Sequence, residues 1–292
     1  NSQPLVFNIA NALWAQKDFH FEQAFLDTLS ANYNAGLKLV DFNNPEEARA
    51  LINLWVAAQT NDKIKELIPK NVLSNMTRLV LTNAIYFKGA WANQFEEKYT
   101  QDGSFTLADG SSKTVPFMHA SFTISALVSE KIQAIKLPYE GGTYAMAAIM
   151  PSADFAGFEQ QLTAADLEQI LSALQSSSAM VDLSMPKFQA ESSLGLAEIL
   201  AGLGMPDAFD NTNADFSGMT GKPDLMIGSV LHQATIDVNE EGTEAAAATA
   251  VVMNLTSMPG QSYTIQLDKP FIYVIYETTT NAIVFMGRVV NP

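Results

Sequence analysis

Hydrophobic and polar residues alternate, or apolar residues run together between turn residues, along several stretches of this chain. Both patterns are typical of β-strands that bury one face or both faces. They predict strands at 5–15, 37–42, 79–91, 181–188 and 230–238, and an almost continuous series of strands from 114 to 151. Within that series, Gly141-Gly142 predicts a turn between two strands.

Other stretches have their apolar residues at helical spacing. In 19–34 an aromatic or leucine residue recurs every four positions from Phe21 to Tyr33. The stretch 44–58 begins with Asn44, a proline and two acids, which favour the positive end of a helix dipole. Two further helices are predicted at 155–174 and at 193–203, where Gly204 ends the second. No linker or internal repeat interrupts these elements, so they predict one mixed α/β (α+β) domain over 1–292.

The segment 240–252 fits no single element by composition. Two acids and a glycine open it, four alanines follow, and it ends in β-branched residues. Alanine favours helices, whereas threonine and valine favour strands. A short Ala-rich helix or a flexible linker is one interpretation. The other is a tethered loop that later becomes a strand, because every second residue from Thr243 to Met253 would point to one face and most are small or β-branched, with Gly242 as a flexible hinge.

Three motifs carry a resemblance to the serpin family. Residues 238–247 (VNEEGTEAAA) resemble the hinge of that family's reactive-centre loop, and residues 267–273 (LDKPFIY) and 285–292 (FMGRVVNP) resemble its C-terminal signature. The strand predicted at 79–91 also resembles a serpin core strand. The chain is therefore identified as a member of the serpin family, of an inhibitory and prokaryotic-looking type. This identification favours the loop over the helix at 240–252.

The resemblance implies a serpin-like fold with a large central β-sheet, smaller sheets, surrounding helices and an exposed reactive-centre loop at about 240–262. It also implies that the family's N-terminal helices are absent from this chain, which begins with Asn1-Ser2-Gln3-Pro4. We expect a targeting segment to be missing in the same way. The family favours an extracellular or periplasmic compartment.

Composition narrows the classes of function. The chain has 292 residues, of which 48% are hydrophobic, enough to bury a large core. It carries 31 acidic and 16 basic residues, and this formal net charge of -15 repels phosphate backbones and anionic membranes. Nucleic acid is therefore not an expected partner, and no apolar run is long enough to span a membrane. There is no cysteine, so disulfides and thiolate chemistry are excluded.

Catalytic chemistry has little support in the sequence. The chain has three histidines, His20, His119 and His232, and they form no zinc-binding helix motif. The nucleophile-elbow and phosphate-binding glycine motifs are absent. A convergent Ser-His-Asp triad is defined by geometry and stays open as an alternative. We expect no enzyme, no metal site and no cofactor.

The resemblance assigns roles to three groups of residues. The hinge consists of Glu240, Glu241, Gly242, Thr243, Glu244, Ala245, Ala246, Ala247 and Ala248. The sheet-opening region consists of Asn83, Trp91, Lys187 and His232, in which His232 pairs with Asn83 and Lys187 faces Glu240. Taken without the family, a single histidine on a strand is usually a core polar group, and two exposed charges contribute little to stability. Family spacing places the reactive bond between Thr256 and Ser257, with Leu255 or Met253 as alternatives.

The implied function is suicide inhibition of serine endopeptidases. After cleavage, the residues from Thr243 to about Leu255 would enter the central sheet as a new strand and trap the acyl-enzyme. The neutral Thr256 favours elastase- or subtilisin-like targets, and a shift to Leu255 or Met253 would favour chymotrypsin-like ones. We expect a monomer. The alternative is a serpin-like carrier or chaperone that does not inhibit.

Overall fold

The alternating patterns form mainly β-structure. The computed structural model describes residues 5–33, 37–243 and 262–292. Within these residues the strands are β1 (Val6–Gln16), β2 (Leu37–Val40), β3 (Leu79–Ala90), β4 (Gln101–Thr106), β5 (Ser112–Val128), β6 (Ile132–Pro138), β7 (Tyr144–Pro151), β8 (Ala179–Pro186), β9 (Phe188–Gly195), β10 (Ser229–Val238), β11 (Gly242–Thr243), β12 (Ser262–Gln266), β13 (Phe271–Glu277) and β14 (Ile283–Val289). The α-helices are α1 (Gln23–Tyr33), α2 (Pro45–Gln59), α3 (Phe155–Gln161), α4 (Ala164–Ser176), α5 (Ala197–Gly202) and α6 (Ser217–Thr220).

The chain forms two compact units. The first comprises Asn1–Val6, Phe87–Ala190 and Ile236–Pro292, and the second comprises Phe7–Tyr86 and Glu191–Thr235. The strand order is β2-β1-β3-β11-β10-β9 in a six-stranded sheet and β12-β8-β5-β6-β7-β13-β14 in an eight-stranded sheet, with β4 paired to β5. β3 and β10 each contribute residues to both units. A mixed α+β architecture with a large β-sheet results, as the sequence predicts.

In the second unit, parallel strand pairs carry a helix on one face. β1 pairs with β2, and β3 pairs with β10 from Ser229 opposite Val80 to Thr235 opposite Tyr86. Apolar residues of α2 such as Ile52 join a buried cluster with residues of β1 and β3. This packing explains the helical spacing of 44–58, since one face of α2 is buried on the strands.

In the first unit, the eight-stranded sheet holds the other main core. The interior strand β7, between β6 and β13, is buried over seven of its eight residues. One face of α4, including Leu171 and Leu174, packs on Ile149 of β7 and Val274 of β13. No helix of the described residues is long and apolar enough to cross a membrane.

Two predicted helices differ from the structure. The stretch 155–174 is split into α3 and α4, because Thr163 and Asp166 form a capping box that starts a new helix. The helix predicted from Ser193 begins only at α5, because 193–195 belong to strand β9. The Leu196 amide extends the pairing by donating to the Val230 carbonyl oxygen at 2.8 Å. Long-range strand pairing therefore overrides the local helical spacing.

Two helix starts also differ in detail. α1 begins at Gln23 rather than at residue 19, and the Glu22 amide donates to the Met219 carbonyl oxygen at 2.9 Å. Asn44 precedes α2 as predicted, but its side chain makes no capping hydrogen bond and instead donates to Asp41 Oδ2 at 3.1 Å. Pro45 and the acids of the first turn remain as start signals for α2.

Candidate hinge and sheet-opening site

A polar pair links β3 to β10 in the second unit. The register places Asn83 opposite His232. Their Oδ1 and Nδ1 atoms lie 2.5 Å apart, so the imidazole donates its proton to the amide oxygen. Asn83 Nδ2 in turn donates to Asn11 Oδ1 of β1 at 2.5 Å. Separating β3 from β10 would therefore break the hydrogen bond between His232 and Asn83.

The environment of His232 favours its neutral form. Burial lowers the pKa of His232 below its ordinary value. The next residue, Gln233, is buried, and its Nε2 donates to Glu191 Oε1 at 2.6 Å. Its Oε1 has no hydrogen-bond partner within the described residues. Gln233 cannot be singled out from the sequence, because a glutamine on a half-buried strand carries no distinctive signal.

Trp91 lies where β3 ends and contacts the turn that leads to β11. Its indole Nε1 donates to the Asn239 carbonyl oxygen at 3.0 Å, and its backbone amide donates to the Glu241 carbonyl oxygen at 2.9 Å. The indole stacks on Tyr139, with ring centroids 4.7 Å apart and an interplanar angle of 16°. Trp91 is thus buried between the turn and Tyr139.

Glu240 has two side-chain partners in the first unit. Lys187 Nζ lies 2.9 Å from Glu240 Oε2, and Thr100 Oγ1 donates to Glu240 Oε1 at 2.7 Å. Burial alone would raise the pKa of Glu240, but the hydrogen bonds from Thr100 and Lys187 outweigh it and lower that pKa. Glu240 is therefore a buried, charged carboxylate with both oxygens bound.

Glu241 has the opposite shift. Its burial, with the nearby charges of Glu240 and Glu97, raises the pKa of the Glu241 carboxyl. Adjacent glutamates of the hinge thus differ in their electrostatic environment. Glu240 forms an ion pair with Lys187, whereas the charge of Lys88 only partly offsets the raised pKa of Glu241.

Gly242 and Thr243 already form a strand of the sheet. β11 pairs antiparallel with β3, with Gly242 opposite Ala90 and Thr243 opposite Gly89. On its other side, Thr243 pairs antiparallel with Val238 of β10. The sequence-based expectation counts Thr243 among the residues that enter the sheet after cleavage. The structure places Thr243 inside it beforehand, so any further insertion would start at the next residue.

The remaining hinge and reactive-bond residues lie outside the described residues. They are Glu244, Ala245, Ala246, Ala247, Ala248, Met253, Leu255, Thr256 and Ser257. Their roles stay predictions from the sequence.

The other two histidines, His119 and His20, lie next to a serine and a glutamate. His119 lies opposite Ser184 in the pairing of β5 with β8, and its Nδ1 is 3.0 Å from Ser184 Oγ. His20 lies 3.5 Å from Glu22 and its side chain is 77% exposed. Among the described residues, no group of three or more histidine, aspartate or glutamate residues is arranged to hold a metal ion.

Tyr139 and Thr100 belong to this site, and neither is among the residues that the sequence predicts for it. Tyr139 Oη lies 2.7 Å from Thr243 Oγ1. Tyr139 follows β6 just before the Gly141-Gly142 turn, and Thr100 lies just before β4. Neither position has a local pattern that indicates contact with a segment more than 100 residues away.

Comparisons with known proteins identify the family of this chain. The sequence model of the family described as "Serpin (serine protease inhibitor)" matches residues 1–292. The chain is 39% identical to Serpin B4 of Homo sapiens over 289 residues, which cover 97% of this chain and 74% of that protein. It is 38% identical to the leukocyte elastase inhibitor of Equus caballus over 299 residues, covering 99% and 78%.

A solved structure is similar over nearly the whole chain. Human thyroxine-binding globulin, crystallised with thyroxine, superposes with a TM-score of 0.86 at 30% identity, covering 99% of this chain and 76% of that one. The family match, the identity to these relatives and the shared fold together show that the chain belongs to the serpin family.

Proposed function

We propose that this chain inhibits serine-type endopeptidases as a suicide substrate and is not an enzyme. The observation that carries the proposal is β11, a two-residue strand set between β3 and β10, which Glu244 alone separates from the small-residue segment 245–250. A chain segment that continues from an inserted strand with small side chains is suited to extend that strand. The family match and the inhibitor among the relatives support the same function.

The reaction proposed begins as ordinary proteolysis. The protease serine hydroxyl adds to the carbonyl carbon of Thr256 and gives up its proton, which passes to the Ser257 nitrogen as the peptide bond breaks. An ester then links Thr256 to the protease, and Ser257 leaves as a free amine. The cleaved segment then extends β11 through the sheet with the protease attached. The order of these steps makes insertion compete with hydrolysis of the ester.

Magnitudes support the trapping step. Twelve residues in an added strand span roughly 40 Å. At about 1 kcal/mol net for each hydrogen bond, the new ladder contributes on the order of 10 kcal/mol. That amount is comparable to the stability of a whole domain. It is therefore enough to distort a catalytic site, since small displacements of reacting groups slow catalysis strongly.

Two contacts would resist early extension of β11. The His232–Asn83 hydrogen bond joins the strands that must separate, and the ion pair of Lys187 with Glu240 holds the turn before β11. We propose that both contacts keep the uncleaved protein in its resting, metastable form. Their loss would favour extension without a protease.

The target proposed is a protease with a small or medium neutral specificity pocket. Thr256 lies at the proposed bond and no basic residue occurs from Glu244 to Ser257. Elastase- and subtilisin-like proteases therefore fit better than trypsin-like ones. Cleavage after Leu255 or Met253 would instead suit chymotrypsin-like enzymes. The leukocyte elastase inhibitor among the relatives supports the first class. We propose that the inhibitor acts as a monomer.

The decisive experiment mixes the purified chain with pancreatic elastase and with subtilisin, then looks for a complex that survives denaturing electrophoresis. A covalent ester between Thr256 and the protease would persist, and its mass would equal the protease plus the chain without residues 257–292. Clean cleavage without such a complex would contradict the proposal. The matched control is protease inactivated at its serine, which cannot form the ester.

A carrier that does not inhibit is the second candidate. The similarity to thyroxine-binding globulin, which was crystallised with a small ligand, favours it. A carrier would be cleaved without trapping and would bind an apolar small molecule with saturation. Measuring thyroxine binding by fluorescence beside the electrophoresis assay separates the two candidates.

The compartment proposed is extracellular or periplasmic, on family likeness alone. The expected observation is the native chain in the culture supernatant or periplasmic extract of the producing cells. Its recovery only from the cytoplasmic fraction would overturn this assignment.

A further inference from the structure

The hydroxyl groups of Tyr139 and Thr243 meet inside the first unit. Both side chains are fully buried, and the two oxygens lie 2.7 Å apart. A buried hydroxyl that loses its partner costs more than an exposed one, because water cannot replace the bond. The contact therefore favours the arrangement in which Thr243 stays between β3 and β10.

Tyr139 is held in place independently of Thr243. Trp91 stacks on one face of its ring, and Phe87 contacts it edge-on with centroids 4.8 Å apart. A Cβ atom added to Gly89 would lie 2.9 Å from the Tyr139 ring, so the ring sits directly against the backbone with which Thr243 pairs. Burial also raises the pKa of Tyr139, so the hydroxyl keeps its proton at ordinary pH.

The backbone before Thr243 is fitted to the same place. Gly242 has a φ of +155°, and a Cβ atom there would lie 2.1 Å from the Gly89 carbonyl oxygen. Only glycine allows so close an approach of two backbones. The turn is closed by the Asn239 amide, which donates to the Gly242 carbonyl oxygen at 2.9 Å. The pairing of β11 in the sheet therefore depends on backbone contacts at Gly242 as well as on the side-chain hydrogen bond of Thr243.

We propose that Tyr139 is the positioning residue that holds the hinge in the sheet before cleavage, and that its hydrogen bond to Thr243 determines how readily the loop extends from β11. This inference rests on the proposed inhibitory function and deepens it. The docked pair Gly242–Thr243 sets the register for every residue that follows. Insertion then begins from a formed strand and avoids the cost of starting one.

The consequence concerns the competition between insertion and hydrolysis. When the hinge is docked, extension can start as soon as the bond is cleaved. When it is undocked, the first pairs must form while the ester is already exposed to water. Weakening the contact should therefore increase the share of molecules that are cleaved without trapping the protease.

The first test measures hydrogen exchange of the β11 backbone amides in the uncleaved protein. Tyr139→Phe removes only the hydroxyl and keeps the ring between Trp91 and Phe87, and Thr243→Val keeps the branched shape. Each should speed exchange at Gly242 and Thr243 by about tenfold, because one buried hydrogen bond is lost. Tyr276→Phe is the matched control, since the buried Tyr276 hydroxyl has no hydrogen-bond partner among the described residues.

The second test measures the ratio of cleaved to trapped molecules with pancreatic elastase. Tyr139→Phe and Thr243→Val should each raise the ratio about fivefold, and the double variant should be no worse than either alone, because both remove the same bond. Tyr276→Phe should leave the ratio unchanged. Additive effects of the two changes would overturn the proposal, as would unchanged exchange in Tyr139→Phe. A faster association with protease at an unchanged ratio would overturn it too.

The two readouts separate this proposal from the function on which it rests. If the unmodified chain forms no stable complex with any serine protease, the inhibitory function fails. The exchange measurement still decides whether Tyr139 holds the hinge, since it needs no protease. If complexes form but exchange at β11 is already fast in the unmodified chain, the inference about Tyr139 fails alone.

Discussion

Lys187 Nζ lies 2.9 Å from Glu240 Oε2, at the turn that connects β10 to β11. The carboxylate is nearly enclosed, with 8% of its side chain exposed, whereas Lys187 is about one third exposed. Thr100 binds the second carboxylate oxygen. The ion pair therefore restrains the hinge at Glu240, two residues before β11 begins.

Glu240→Gln should destabilise the resting protein by about 1–2 kcal/mol, because the substitution removes the ion pair with Lys187. The loss stays this small because the Lys187 ammonium keeps partial access to water and is not left as a buried, unpaired charge. The free energy of unfolding of the uncleaved chain measures this.

The same free energy should also fall in the unmodified chain as pH falls. The pKa of Glu240 is below its unfolded value of 4.5, so its contribution is present above that pH and is lost as pH falls through the folded pKa.

Glu130→Gln is the matched control for that change, since Glu130 is an exposed glutamate in the turn between β5 and β6. Equal effects of the two substitutions at pH 7 would contradict a special role for Glu240.

His232→Gln should reduce the acid sensitivity of the resting protein. Burial lowers the pKa of His232 in the folded state, so the unfolded chain binds more protons and stability falls as pH drops below about 6.5. Glutamine can still donate to Asn83 but does not titrate, and we expect it to cost about 1 kcal/mol at pH 8 through poorer geometry. Melting temperatures between pH 8 and pH 5 measure both effects. His20→Gln, at a largely exposed position, is the matched control, and an equal change in both variants would contradict the role given to His232.

Thr243→Arg should convert the inhibitor into a substrate. Thr243 is fully buried between β3 and β10, and an arginine cannot be enclosed there without an unpaired charge. We expect cleavage by elastase at the normal rate and loss of most of the stable complex. Thr212→Arg, at an exposed position, is the control. If both variants trap protease equally, residues 240–248 are not the hinge.

Cleavage at the proposed bond should release a fragment that begins at Ser257 and contains 36 residues, since 292 minus 256 is 36. Mass spectrometry of the denatured products measures this. A fragment beginning at Thr256 or Asn254 would instead assign the bond to Leu255 or Met253.

Thr256→Arg should add trypsin to the inhibited proteases, because a basic residue would then occupy the specificity pocket of trypsin.

Cleavage should also stabilise the protein. If the loop gains on the order of 10 kcal/mol by insertion, the melting temperature of the cleaved chain should rise by roughly 15 °C. Calorimetry before and after limited proteolysis measures the rise. An unchanged melting temperature would mean that no energy is stored in the resting state, and the inhibitory mechanism would be wrong.

Much of the fold follows from local patterns. The strands at 79–91 and 230–238 were predictable because alternating or short continuous apolar runs are typical of buried strands. Helix α2 was predictable because its start signals and its apolar spacing both indicate a helix. The split between α3 and α4 was also readable in principle, since Thr163 and Asp166 have capping-box spacing. The strand at 193–195 was not, because its conformation depends on the neighbouring β10.

From the residues alone it follows that alanine and threonine occupy 245–250, that the chain has no cysteine, and that its motifs are those of serpins. The three-dimensional fold adds that Thr243 is already paired in the sheet and that the hydroxyl of Tyr139, 104 residues away, is hydrogen-bonded to the Thr243 hydroxyl. The physical reason is that side-chain periodicity fixes which face of a strand is buried but not which strand becomes its neighbour. That choice depends on long-range backbone pairing, and a two-residue strand such as β11 is too short to leave a periodic signal.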